Sequence, residues 1–112
     1  MKTHRGLRVS SVMREELGKL FLRELDFGQA IVTITDIEID SKMIWADVFV
    51  SVIPGNKADD VLQTLRRSTS HLHHLLNRKL NIRPMPGIRF RLDHGLENAA
   101  RIEKDLMEDN NK

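Results

Sequence analysis

The sequence predicts an α+β domain in which a three-stranded sheet carries helices on one face. Apolar residues recur at helical spacing in residues 4–25 and 61–80, and three segments rich in β-branched residues alternate as strands do. A chain of 112 residues has the size of one domain. We expect the order αββααβ in a domain of residues 1–95, followed by a short helical tail at residues 96–112 with a frayed end.

The first helix is predicted from about His4 to Leu25, and Gly28 can adopt the left-handed conformation that ends it. A hairpin follows, with strands near residues 30–39 and 44–52. Ile34 and Ile37 are three positions apart, so one strand face cannot hold both without a bulge near Thr35-Asp36.

The second helical segment is interrupted by Ser68-Thr69-Ser70, which form helices poorly. We expect either one bent helix or two short ones, with these three residues at the kink. Pro84 and Pro86 end the segment, and residues 88–92 alternate as a third strand.

The charges are sorted along the chain although the net charge is only +2. Residues 61–92 contain seven Lys and Arg and no acid, whereas residues 15–60 contain ten acids and four bases. Such a segregated basic surface is typical of proteins that bind a polyanion, since Lys and Arg release counterions from phosphates. The alternative is a basic face that only contacts solvent.

Two surfaces are candidates for this binding. On a helix, Arg67, His71, His74 and Arg78 would fall within about 60° of one another, opposite the leucines; we call them the helix stripe. On the hairpin, Trp45 and Phe49 would share the open sheet face with Arg89 and Arg91, where aromatic rings can stack nucleobases. The tail could instead cover these rings.

No catalytic site is predicted. The chain has no cysteine and no Gly-rich phosphate loop, and the apolar runs are shorter than the roughly 20 residues of a membrane span. His71 and His74 would share a helix face, but two imidazoles without a further ligand do not make a metal site. We therefore expect no enzymatic activity, no metal and no cofactor.

The element order and the basic face resemble a type II KH domain, an RNA-binding fold, but no two of the six glycines have the spacing of its Gly-x-x-G loop. Bacterial ribosome-binding factor A keeps this topology without that loop, and this chain resembles that family over nearly its whole length. The resemblance lies in Arg8-Val9 and in residues 23–26, 33–39, 45–51, 75–76 and 86–93. It departs from the family at Phe27, where a proline is usual, and at Ser68-Thr69-Ser70, where Ala-x-Gly is usual.

The resemblance implies a cytoplasmic factor that binds the small (30S) ribosomal subunit and 16S rRNA near the decoding region. It would aid late maturation and processing of the precursor 5′ end, with importance in the cold, and assembly GTPases would act with or against it. We expect a monomer. The candidate rRNA-binding residues are Arg5, Arg8, Arg67, His71, His74, Arg78, Lys79, Arg83, Arg89 and Arg91.

Two other functions remain open from the residues alone. One is a general single-stranded nucleic-acid binder that uses Trp45 and Phe49. The other is a protein-interaction module whose acidic residues 15–60 dock a basic partner.

Overall fold

The computed structural model of the protein describes residues 4–93. Helix α1 spans His4–Glu24, β1 Ile31–Ile39, β2 Trp45–Ile53, α2 Ala58–Lys79 and β3 Gly87–Leu92, with a single 3-10 turn at Gly55–Lys57. The predicted fold class is confirmed, since a three-stranded sheet packs against both helices. The predicted tail at residues 96–112 lies outside the described residues.

The sheet has the order β1-β2-β3 and is mixed. Strands β1 and β2 form the predicted antiparallel hairpin, and β3 pairs parallel to β2. A parallel neighbour needs a long crossover, and α2 supplies it. The β1–β2 register shifts between Ile34 and Asp36, so the bulge predicted there is confirmed.

The second helical segment is one continuous helix, so the order of elements is αββαβ rather than αββααβ. Ser68, Thr69 and Ser70 lie inside α2 and do not separate two helices. The Thr69 hydroxyl donates a hydrogen bond to the Leu65 carbonyl oxygen at 2.9 Å, which gives its polar group a partner within the helix. Leu65 and Leu72 are both fully buried, so packing on either side of this segment supports the helix.

The core lies between the helices and one face of the sheet. On β2, Val48 and Val50 are fully buried, whereas Trp45 is 41% exposed and Phe49 is half-buried. The alternation of β2 therefore separates a covered face from an open one, as the sequence predicts.

Candidate nucleic-acid interface

The four residues of the helix stripe lie on α2, and Arg67, His71, His74 and Arg78 are all exposed there. Leu65, Leu72 and Leu76 on the opposite side of the helix are fully buried. The predicted geometry of the stripe is therefore confirmed, while its role in binding stays a prediction. His71 has a carboxylate nearby, with its Nε2 3.7 Å from Oε2 of Glu24. Within residues 5–93, Arg67 and Arg78 form no salt bridge.

A second group of cations meets where α1 begins and the chain leaves α2. We call Arg5, Arg8 and Arg83 the N-terminal cluster. A guanidinium nitrogen of Arg5 donates a hydrogen bond to the carbonyl oxygen of Arg83 at 3.0 Å, across 78 residues of sequence. All three side chains are exposed, and Lys79 lies at the nearby end of α2. None of these four residues forms a salt bridge in the part of the chain that the structure describes.

The open sheet face brings Arg89 and Arg91 beside the aromatic residues, as predicted, but it also holds a carboxylate. Asp47 is paired with Arg89 in the β2–β3 register. Oδ1 of Asp47 accepts hydrogen bonds from Nε of Arg89 at 2.9 Å and from Nε of Arg91 at 3.1 Å. Both arginines of this face are therefore engaged by one acid.

The electrostatics of Asp47 agree with this arrangement. Partial burial acts to raise its pKa, but the hydrogen bonds and positive charges of Arg89 and Arg91 outweigh the burial and lower the pKa below its ordinary value of 3.8. Asp47 is thus ionised at neutral pH, and it offsets part of the positive charge that phosphates would meet on this face.

Trp45 is also held by its neighbours. A Cβ added to Gly87 would lie 2.7 Å from Cζ3 of Trp45, so the indole ring lies against the glycine backbone. The guanidinium carbon of Arg89 lies 4.6 Å from the ring centroid, at cation–π distance. A nucleobase would have to share this ring with Arg89.

Sequence reasoning missed two features of the surface. Arg66 lies off the helix stripe and lines a shallow groove with Thr69, Arg89 and Arg91 between α2 and β3. Arg66 belongs to residues 61–92, which contain no acid, and this is the sequence signal that could have identified it. The pairing of Asp47 could not be found in the same way, because it depends on the register of two strands about 40 residues apart.

The family is decided by comparison with known proteins. A family model for ribosome-binding factor A matches residues 5–106. The chain belongs to the ribosome-binding factor A family. Among its relatives is ribosome-binding factor A of Coprothermobacter proteolyticus, which is 34% identical over 97% of this chain and 80% of its own length. Ribosome-binding factor A of Caldanaerobacter subterraneus is 31% identical over 94% of this chain and 88% of its own length.

Solved structures of the family share the fold. The crystal structure of ribosome-binding factor A from Thermus thermophilus has a TM-score of 0.65 at 18% identity, covering 77% of this chain and 92% of that one. A homology model of the Thermus thermophilus factor has been fitted into the cryo-EM map of a complex with 30S. Its TM-score is 0.64 at 17% identity, and the match covers 75% of this chain and 90% of that one.

The described residues of this family member offer no metal cluster. Between residues 4 and 93, no group of three or more His, Cys, Asp or Glu side chains is placed to hold a metal ion. His73, the third histidine of α2, has its Nε2 3.2 Å from the carbonyl oxygen of Pro86. No helix in the same part of the chain is long and apolar enough to cross a membrane.

Proposed function

We propose that this protein binds the small (30S) ribosomal subunit and its 16S rRNA during late maturation and supports processing of the precursor 5′ end. The observation that carries the proposal is an exposed basic surface with unpaired arginines: those of the helix stripe and of the N-terminal cluster have no carboxylate partner among the described residues. Family membership supplies the ribosomal partner.

The helix stripe suits a backbone-tracking role. Arg67 and Arg78 are eleven residues apart on a continuous helix, which separates them by about 16 Å along its axis. Two cations at that distance contact different phosphates, so they fix the register of the protein on the RNA without reading its sequence. His74 adds a hydrogen-bonding group between them, whether or not its ring is charged.

The open sheet face is less suited to the alternative function of a general single-stranded binder. Such binders combine free cations with aromatic rings that stack successive bases. Here Arg89 and Arg91 both pair with Asp47, and Trp45 already contacts Arg89 and Gly87. A single-stranded nucleic acid would have to displace these contacts before it could use the face.

Under this proposal the protein acts in the cytoplasm as a monomer without catalytic activity or cofactor. Assembly GTPases would act with it or against it on the maturing subunit, and its absence would matter most in the cold. A cold-sensitive growth defect in cells that lack the protein is the corresponding expectation.

A sucrose-gradient profile of cells lacking the protein tests the proposal. We expect free small subunits to accumulate and to carry 16S rRNA with an unprocessed 5′ end, as measured by primer extension. Re-expression of the wild-type chain should restore the profile. A normal profile with fully processed 16S rRNA, at both ordinary and low temperature, would contradict the proposal.

A further inference from the structure

A groove lies at the N-terminal cluster and joins an apolar floor to an arginine rim. Its walls are the first turns of α1 and residues 80–83, which follow α2. Val12 and Ile82 contribute apolar surface, and Arg5, Arg8 and Arg83 line it as well. Its cavity volume of about 740 Å³ falls within the range of roughly 300–1,000 Å³ that is typical of small-ligand sites.

The two walls are tied together by the hydrogen bond from Arg5 to the carbonyl oxygen of Arg83. This contact holds residues 80–83 against α1 and fixes the Arg5 guanidinium at the groove. Val12 is 42% exposed beside these cations, although its neighbour Val9 is buried. An apolar side chain is thus presented to solvent among positive charges.

The lining points to one kind of occupant. It contains three arginines and no carboxylate, so it suits an anion. It also offers apolar walls for a flat, weakly polar group and the Asn81 amide, which can both donate and accept hydrogen bonds at a base edge. A nucleotide that is unpaired and turned out of its helix matches all three features of the lining. Its phosphate suits the arginines, its apolar base face suits the apolar walls, and its polar base edge suits the amide.

We propose that this groove binds one unpaired nucleotide of the RNA, with the base against Val12 and Ile82 and its phosphates among the arginines. The inference rests on the proposed function, since it assumes an RNA partner. It adds that recognition at this end of the molecule depends on an extruded base, whereas the helix stripe contacts phosphates of any sequence.

Binding of two RNA hairpins of equal length tests the inference. One hairpin is fully paired, and the other carries a single unpaired nucleotide in its stem. We expect the intact protein to bind the second about tenfold more tightly, the scale of one stacked base. Val12→Ser should remove most of this preference without changing affinity for the paired hairpin. Leu22→Ser is the matched control, because Leu22 is 89% exposed on the same helix and lies outside the groove.

A cross-linking experiment on the wild-type chain gives an answer that does not depend on a variant. The unpaired position is replaced by 4-thiouridine, and the cross-linked peptide is mapped after irradiation. Cross-links to residues 5–12 or 80–83 support the inference. Cross-links confined to other residues, or equal affinity for both hairpins, overturn it. Occupation of the groove by an acidic amphipathic peptide that neither RNA displaces would also overturn it and indicate a protein partner.

The same proteins separate this inference from the proposed function. If Val12→Ser and the wild type co-sediment equally with small subunits while neither prefers the unpaired hairpin, the groove inference fails and the proposed function stands. If the wild type does not co-sediment with small subunits at all, the proposed function fails as well.

Discussion

The helix stripe and the open sheet face carry arginines from the same acid-free run of sequence, yet they differ in what those arginines can do. Arg67 and Arg78 are exposed on α2 and form no salt bridge among the described residues. Arg89 and Arg91 share the carboxylate of Asp47. A stretch that lacks acids in sequence can therefore have an acid beside it in space, and the arginines that share this acid are less available to phosphates than the unpaired ones.

The paired arginines have a structural role of their own. Strand β3 lies at the edge of the sheet, and Arg89 and Arg91 join its outer side chains to β2 through Asp47. Cross-strand pairs of opposite charge stabilise neighbouring strands, and charged side chains discourage pairing of an exposed edge with another chain. The open face thus contributes to the sheet, while the helix stripe contributes little to the fold.

The largest expected effect compares the two faces of β2. Val48→Asp should unfold the domain, because it places a carboxylate without a partner at a fully buried position, at a cost of several kcal/mol out of a total of about 5–15 kcal/mol. Phe49→Ser should leave the domain folded with a lower melting temperature, since Phe49 is half-buried on the open face. Circular dichroism melts measure both. Equal loss of structure would mean that the open face is as deeply covered as the other.

A smaller effect is expected from Asp47→Asn, which removes the shared charge while keeping the shape. Asp47 has a lowered pKa in the folded protein, so its ionised form stabilises the fold above pH 3.8, and this contribution disappears as the pH falls through the lower folded pKa. The wild type should therefore exceed the variant by about 1 kcal/mol at pH 7. The difference should shrink below pH 3.8.

Urea unfolding of both proteins from pH 7 to pH 2 measures this difference. The comparison isolates Asp47, since all other carboxyl groups titrate in both proteins. A difference that stays constant with pH would show that the Asp47 pairs do not hold the sheet face together.

The smallest effect concerns the middle of α2. Thr69→Val keeps the side-chain shape and removes the hydroxyl that donates to Leu65, so we expect a loss of about 0.5 kcal/mol or a little more. Because α2 is continuous, affinity for small subunits should fall no more than stability does. A much larger fall in affinity, with unfolding in urea nearly unchanged, would mean that this hydroxyl sets the direction of the helix and with it the position of the stripe.

Much of this fold could be predicted from local sequence patterns. The alternation of β2, the bulge after Ile34 and the buried leucines of α2 follow from residue spacing, because each depends on a period within one element. The continuity of α2 does not follow from its sequence, since Ser68-Thr69-Ser70 have weak helical propensity; the burial of Leu65 and Leu72 outweighs that propensity.

The candidate nucleic-acid interface could be predicted from sequence only where its residues all lie on one helix or strand. The helix stripe needs nothing but helical geometry, so its residues were found. The contact of Arg5 with Arg83 and the pairing of Asp47 with Arg89 join residues 78 and 42 positions apart, and local patterns contain no information on either.

Co-sedimentation with small ribosomal subunits over a series of salt concentrations tests the central claim most directly. Two matched double variants are compared with the wild type: Arg67→Gln with Arg78→Gln on the helix stripe, and Arg89→Gln with Arg91→Gln on the open sheet face. We predict that the first pair weakens binding and flattens the slope of log K against log salt by about 1.4 to 1.8, the value for two lost phosphate contacts. The second pair should leave the slope unchanged. An unchanged slope for the helix pair, or an equal change for the sheet pair, would contradict it.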